Sequence, residues 1–127
     1  MDDNVVWTGA QQKSPEAPRS VARTVRMNVA TPLGAFFALK PDCGSRGLPK
    51  VSITELPTHG AATVAPRDER PAFPPSNPYA ACNAGMVPAV GVTYTPAANY
   101  AGSDALTIEE TTLDGQRRVI RMELKVM

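Results

Sequence analysis

The sequence predicts an all-β protein, an antiparallel β-sandwich of about seven short strands. Three observations support this fold class. Short segments alternate apolar and polar residues with a period of two, turn signals separate them, and no segment keeps a helical period. The 13 prolines among 127 residues are about twice the usual share, and sandwiches accommodate prolines in loops and at sheet edges. The length suits one domain with a single core.

The first strand is predicted over residues 21–29, where Val21, Val25, Met27 and Val29 share one face with Arg23. Residues 31–34 read as a turn, residues 35–39 as a compact apolar run, and residues 48–56 as another strand. Residues 1–20 are polar and show no period, so we expect a flexible arm before a sandwich domain spanning residues 21–127.

A short strand is predicted over residues 61–65, and an irregular insertion over residues 66–90. The 25 residues of the insertion include six prolines. A loop of this length inside a compact domain is uncommon, and such loops are usually either functional or tied down.

The last third of the chain gives the clearest pattern, with strands predicted over residues 92–95, 104–112 and 116–126. A two-residue Asp-Gly turn between the last two strands would mix their faces. A three-residue loop, with Gly115 in a left-handed bulge, sets Ile108 opposite Ile120 and Leu106 opposite Met122. It also sets Glu110 opposite Arg118, a favourable pair of charges.

The two cysteines, Cys43 and Cys82, lie among loop residues rather than in apolar runs. This setting favours a disulfide over two unrelated free thiols, the alternative, and a disulfide indicates an oxidising compartment. The expected disulfide therefore predicts a periplasmic or extracellular protein. The N-terminus lacks the basic start and apolar core of a signal peptide, so we expect that the signal peptide of such an exported protein has been removed.

The formal net charge is +1, which gives no electrostatic reason to expect nucleic acid or an anionic membrane as a partner. The chain also has no apolar run of the roughly 18–20 residues that a membrane span needs, so we expect no membrane insertion.

Two stretches resemble the bacterial Ig-like and cadherin-like domains that occur in tandem in surface proteins. They are VSITELPTHG, residues 51–60, and VTYTPAANYAGSD, residues 92–104. The resemblance, over roughly residues 27–126, implies an immunoglobulin-like fold, an exported setting, and a role in adhesion or spacing. The cysteine pair, the insertion and the single copy depart from the pattern of those domains.

Residues 99–104 look almost like a ligand loop, but a structural corner explains them. Tyr100 can place its ring in the core while its hydroxyl meets backbone, as in the tyrosine corner of sandwich folds. Gly102 permits a positive φ, and Asn99 and Asp104 can accept hydrogen bonds from nearby amides. Calcium is the alternative ligand, with Asn99, Asp104 and Asp114 as candidates, but that set supplies few carboxylates.

No constellation for catalysis is found, so we expect no enzyme activity and no cofactor. His59 is the only histidine, which is too few for a zinc site, and no nucleophile accompanies it. Glu109 and Glu110 are adjacent on a strand and point to opposite faces. Met27 and Met122 fall on core faces, which argues against a soft-metal site.

The candidate binding surface is the Pro-rich stretch that holds Phe73, Pro74, Pro75 and Tyr79, because aromatic side chains on a stiff loop lose little entropy on contact. Alternatively, Phe73 and Tyr79 fold back and cap the sandwich. We therefore expect a non-catalytic, exported Ig-like domain that contacts an unknown protein or glycan. The alternative is a structural spacer or envelope subunit, and the oligomeric state stays open.

Overall fold

The computed structural model describes residues 19–127, which form nine strands and one short 3₁₀ helix, Ala80–Ala84. The strands are β1 Arg19–Val25, β2 Thr31–Phe36, β3 Ala38–Leu39, β4 Ser45–Gly47, β5 Lys50–Glu55, β6 Gly60–Glu69, β7 Val87–Pro96, β8 Gly102–Thr111 and β9 Arg117–Val126. The prediction of an all-β fold is confirmed. The predicted arm falls mostly on residues 1–18, outside the described residues, and β1 begins within its last two.

Two main sheets pack face to face. One has the order β1-β9-β8-β5 and the other the order β2-β7-β6, while β3 and β4 form a small separate hairpin. Every pairing is antiparallel except that of β1 with β9, which is parallel. This exception to the antiparallel prediction arises because β1 and β9 are not consecutive in the chain, so no tight turn dictates their relative direction.

The core between the two sheets consists of apolar side chains that alternate along the strands. Both sheets contribute, and Tyr94, Leu106 and Val92 are fully excluded from solvent. The buried set is Val21, Val25, Leu33, Phe36, Val92, Tyr94, Leu106, Ile108, Ile120, Met122, Leu124 and Val126. Burial of these side chains is the main stabilising contribution to the fold.

The predicted register of the last hairpin is confirmed. Ile108 pairs with Ile120, Leu106 with Met122 and Glu110 with Arg118. Gly115 has a φ of 86°, and its amide donates to the Thr112 carbonyl oxygen at 2.9 Å. The three-residue loop thus keeps the apolar residues of both strands on the inner face.

The prediction of a turn over residues 31–34 was wrong, because these residues belong to β2. A register shift between Pro32 and Gly34 inserts a bulge into this strand. The bulge changes the alternation so that both Leu33 and Phe36 face the core. The predicted first strand was too long, since β1 ends at Val25 and the chain turns at Asn28, which has a φ of 63°.

The predicted insertion was also too wide. Strand β6 continues to Glu69 and β7 begins at Val87, so the irregular part is residues 70–86. The predicted boundaries were wrong because Pro66 and Pro88 were read as loop residues, although both lie within strands. Pro66 pairs with Val90 and Asp68 with Pro88. Both pairs lie where a missing N–H removes no hydrogen bond between the two strands.

Candidate functional site at the disulfide-linked end

The sandwich has two ends with different construction. At one end, the β2–β5 connection over residues 37–49, the loop over residues 70–86 and the β8–β9 turn over residues 112–116 come together, and we call this the disulfide end. At the other end lie the loops over residues 26–30, 56–59 and 97–101, and we call this the corner end. Each end brings together loops from both main sheets.

The predicted disulfide is confirmed. Cys43 and Cys82 are joined with a Cα–Cα distance of 5.4 Å. Cys43 follows β3 and has a φ of 73°, while Cys82 lies in the 3₁₀ helix and is buried. The bond therefore fastens the loop over residues 70–86 to the β2–β5 connection.

The same loop is held internally by two asparagine side chains. Asn83 accepts from the Phe73 amide and donates to the Phe73 carbonyl oxygen, both at 2.9 Å. Asn77 Oδ1 accepts from the Tyr79 amide at 2.7 Å. These bonds replace the sheet pairing that a Pro-rich segment cannot make, so the loop has a defined shape without strands.

The expectation that Phe73 faces a partner is corrected, because its side chain is only 6% exposed. Its ring packs edge-on to Phe37 with centroids 6.0 Å apart, and lies 5.8 Å from the Tyr79 ring. The physical reason is the apolar outer face of β7, where Val87 and Ala89 would otherwise be exposed to water. Phe73 covers that face, as the capping alternative stated.

The other members of the predicted binding stretch remain accessible in part. Pro74 and Pro75 are exposed, while Tyr79 is half-buried. Tyr79 packs against a second core cluster, which consists of Ala35, Phe37, Leu39, Phe73, Cys82, Val87 and Ala89. Met86, at the end of the loop, is 57% exposed. Burial of Phe73 therefore leaves a stiff proline pair and one thioether on the surface of a loop whose base is fixed.

Sequence reasoning missed a second part of this end, formed by β4 and the β8–β9 turn. Arg46 Nη2 lies 3.2 Å from Asp114 Oδ1. Leu113 methyl groups come within 4 Å of the position where a side chain on Gly47 would begin. Leu48 and Leu113 are 40% and 41% exposed. In the sequence, both leucines stand beside turn residues, which was a signal that they could be exposed. Only the fold shows that both lie at the disulfide end.

Beneath the β8–β9 turn lies a buried ion pair, Glu110 with Arg118. Arg118 Nη1 donates to Glu110 Oε1 at 3.0 Å, and the Arg118 and Glu110 side chains are 2% and 0% exposed. The pairing was predicted from the register, but its burial was not. A signal for this burial was available in the sequence. Glu110 lies on the same face of β8 as Ile108, and Arg118 on the same face of β9 as Ile120, and both faces point into the core.

At the corner end, Asp104 is a buried carboxylate that serves as a structural acceptor. It accepts from the Tyr94 hydroxyl at 2.6 Å and from the amides of Thr58 and His59 at 3.0 Å, and from the Ala105 amide at 2.9 Å. Burial by itself would raise the pKa of Asp104, but these hydrogen bonds together hold its pKa below the ordinary value. Burial and the hydrogen bond to Asp104 raise the pKa of the Tyr94 hydroxyl.

The residues of the predicted corner make local hydrogen bonds, and the Tyr100 ring is half-buried against the main core. The Tyr100 hydroxyl donates to the Ser103 carbonyl oxygen at 2.6 Å, and its ring stacks on His59 with centroids 4.2 Å apart. Asn99 has a φ of 60° and its amide donates to Asn28 Oδ1 at 2.8 Å, while Gly102 has a φ of 140°. The Asn99 side-chain oxygen also accepts from Asn28 Nδ2 at 3.2 Å. The oxygens of Asn99 and Asp104, two of the three calcium candidates, therefore accept hydrogen bonds, while Asp114 lies at the disulfide end beside Arg46.

Acidic and metal-ligating side chains are scattered among residues 19–127. No group of three or more histidine, cysteine or acidic side chains there is placed to hold a metal ion. A shallow depression of about 350 Å³ lies beside β1, β8 and β9, where Arg23 and Lys125 are among its lining residues. It also contains Asp104, whose oxygens are already engaged. Within the same residues, no helix is long and apolar enough to cross a lipid bilayer.

Comparisons with known proteins do not assign this chain to a family. No protein-family model matches it, and no curated protein sequence matches it. Two solved structures are similar in outline. Amebosin, solved in solution, has a TM-score of 0.41 and 9% identity, over 90% of this chain and all of that one. PbICP-C, solved in complex with falcipain-2, has a TM-score of 0.42 and 6% identity, over 96% of this chain and 98% of that one. Both TM-scores are below 0.5, so neither likeness supports a conclusion about fold family or function.

Proposed function

We propose that this protein is a non-catalytic, exported, immunoglobulin-like domain that binds a protein or glycan at the cell envelope through its disulfide end. The immunoglobulin-like part rests on strand order. The order β2-β7-β6 against β1-β9-β8-β5 corresponds to the B-E-D and A-G-F-C arrangement of that fold, with Tyr100 at the E–F corner. The exported setting rests on the disulfide.

The observation that carries the binding proposal is the preorganisation of the disulfide end. Three connections meet there, and a disulfide, an ion pair and two asparagine side chains fix them. The apolar and proline side chains on this end remain exposed: Leu48, Pro74, Pro75, Met86 and Leu113. A surface that is already ordered loses little entropy when a partner covers it, so exposed apolar groups there give the most affinity for their area.

Charge around these groups suits a protein or glycan partner better than a strongly charged polymer. Arg46 and Asp114 neutralise one another at this end, and the exposed Lys40 and Asp42 carry opposite charges. Recognition would therefore depend on apolar contact at the centre with polar groups around it, which is the usual anatomy of a transient interface.

The test compares two surface variants in capture from cell-envelope extract and in a glycan-array screen. The variant Leu48→Glu/Leu113→Glu places charge on the disulfide end, and Leu56→Glu does the same at the corner end, where Leu56 is 68% exposed. We expect the double variant to lose a captured partner, or to weaken its binding at least tenfold, and the control to retain it. Equal capture by both variants, or no ligand in either assay, would refute the proposal.

The alternative function is a structural spacer or subunit of an envelope assembly. It is favoured by the open edges of the two main sheets, since a free strand edge can pair with another chain. The experiment above separates the two functions, because a spacer needs no ligand at the disulfide end.

A further inference from the structure

The open edges of the two main sheets differ in how well they are protected. Strand β2 has a bulge at Pro32, and the Arg23 guanidinium donates to the Leu33 carbonyl oxygen at 3.2 Å beside it. Strand β5 has a bulge between Ile53 and Glu55, and β1 carries arginines at Arg19 and Arg23. Bulges and charges of this kind are how natural proteins block pairing at an edge.

Strand β6 lacks that protection over half of its length. It pairs with β7 over ten residues without a register shift, and its other side faces no strand of the described residues. Residues 63–68 are all exposed. Pro66 and the charged residues after it interrupt the second half of the edge. The half from Gly60 to Ala65 is uncharged and has no bulge, and among residues 19–127 no strand pairs with its outer side. Ala61 and residues 63–65 are exposed in this half, while Gly60 and Ala62 are half-buried.

Prolines and one observed bond establish which backbone groups of β6 point outward. In an antiparallel pair, alternate facing residues exchange hydrogen bonds, and a proline fits only the non-bonded pairs without loss. In all three pairs that contain a proline, the β6 residue has an even number. These pairs are Gly60–Pro96, Pro66–Val90 and Asp68–Pro88. The His59 carbonyl oxygen accepts from the Ala97 amide at 2.8 Å, so the odd-numbered pairs are the bonded ones.

The N–H and C=O groups of Gly60, Ala62 and Val64 therefore point away from β7 and toward the open edge. These three residues are spaced evenly about Ala62. If a second copy of the strand lies antiparallel with Ala62 facing Ala62, Gly60 faces Val64 and Val64 faces Gly60. The three facing pairs then exchange about six hydrogen bonds, two for each pair.

The lack of charged side chains and the position of Pro66 are compatible with this self-pairing. No Asp, Glu, Lys or Arg occurs between Leu56 and Pro66, so no like charges oppose one another. Pro66 falls beyond the three bonded pairs, where its missing N–H has no effect. A register centred on Val64 would instead place Pro66 opposite Ala62 and lose a donor on each side.

We propose that two copies of this chain associate by antiparallel pairing of their β6 strands about Ala62, which joins their three-stranded sheets into one continuous sheet. The partner is a second copy because the open half of the edge is complementary to itself. A contact along one strand edge is smaller than the roughly 800 Å² per partner of a stable interface, so the dimer is weak and reversible. The inference is independent of the binding proposal, since the site lies toward the corner end.

Sedimentation equilibrium over a range of concentrations gives the first test. We expect the wild-type protein to associate reversibly into dimers. The variant Val64→Pro removes an outward N–H and no bond to β7, and we expect it to weaken dimerisation at least about tenfold. The control Val64→Thr keeps the N–H and should dimerise like the wild type. A wild-type monomer at every concentration, or an unchanged dimer in Val64→Pro, would overturn the proposal.

Disulfide trapping tests the register without requiring a proline variant to fold. Ala61 and Thr63 are exposed and face one another across the proposed dimer in a non-bonded pair, whose Cα separation of about 4.5 Å a disulfide can bridge. Mixing Ala61→Cys with Thr63→Cys under mild oxidation should give a cross-linked dimer, and neither variant alone should. A cross-link from Thr63→Cys with Ala65→Cys instead would establish the Val64 register and refute the one proposed.

Discussion

At the scale of single residues, Asp104 links the corner end together. Its two carboxylate oxygens accept from the Thr58, His59 and Ala105 amides and from the Tyr94 hydroxyl, so they connect β8 to the β5–β6 loop and to β7. A neutral amide cannot replace the carboxylate, because an NH₂ group would meet a backbone N–H that needs an acceptor. Asp104 therefore looks like a ligand residue in the sequence, but in the structure its oxygens accept hydrogen bonds that hold the corner end together.

We expect Asp104→Asn to reduce the free energy of unfolding at pH 7 by about 2 kcal/mol, because hydrogen bonds to a charged group are lost. The folded-state pKa of Asp104 is lowered, so its contribution is present above the unfolded pKa of about 3.9 and is lost as pH falls below it. In urea unfolding, the difference in stability between variant and wild type should therefore stay constant from pH 7 to about pH 4 and shrink as the pH falls further toward 3.

Asp68→Asn is the matched control, because Asp68 is exposed on β6. It should change stability little at either pH. A difference between Asp104→Asn and wild type that stays constant with pH would show that the carboxylate charge is not what stabilises the corner.

At the scale of elements, the β8–β9 hairpin combines a well-specified register with a buried charge pair. The inner face continues from Ile108 and Ile120 to Glu110 and Arg118, where apolar residues give way to an ion pair at the disulfide end. Such a pair costs desolvation on both sides, so it stabilises little relative to an apolar pair but becomes very unfavourable when one partner is removed.

We expect Arg118→Met alone to reduce the free energy of unfolding by about 3–5 kcal/mol, since it leaves a buried carboxylate without its cation. The double variant Glu110→Leu/Arg118→Met should recover most of that loss, because no buried charge remains. Chemical unfolding of the four proteins of this double-mutant cycle measures the coupling. Additive effects would mean that the two side chains act separately and would contradict the interpretation of the pair.

At the scale of the whole molecule, the disulfide belongs to a second, smaller core that is separate from the core between the two main sheets. The main core contains neither cysteine, whereas the second cluster contains Cys82 and packs Cys43. The second cluster lies on the outer face of β7, where Val87 and Ala89 point opposite to Val92 and Tyr94. The loop over residues 70–86 therefore depends on the covalent link more than the sheets do.

We expect Cys43→Ala/Cys82→Ala to lower the free energy of unfolding by about 4 kcal/mol, from the entropy of a closed loop with a sequence separation of 39. The sheets should persist in far-ultraviolet circular dichroism, while chymotrypsin should now cleave after Tyr79. The control is the oxidised wild type, in which that bond should resist cleavage. Equal resistance in both proteins would show that packing of Phe73 alone holds the loop.

The sequence by itself determined the all-β class, the register of the last hairpin and the disulfide. Each of these depends on local information: alternation along a strand, the length of one turn, or cysteines among loop residues. The Glu110–Arg118 pairing was available for the same reason, because register follows once the turn is known.

Only the tertiary structure decided which surfaces are free. Phe73 reads as an exposed aromatic, but the outer face of β7 needed a cover, and sequence order does not show that the two meet. Likewise, Leu113 lies against Gly47, residues 31–34 belong to a strand with a bulge, and β6 is the edge of its sheet. The physical reason is common to all of these outcomes, since burial depends on contacts between segments far apart in the chain, whereas periodicity reports only on the segment itself.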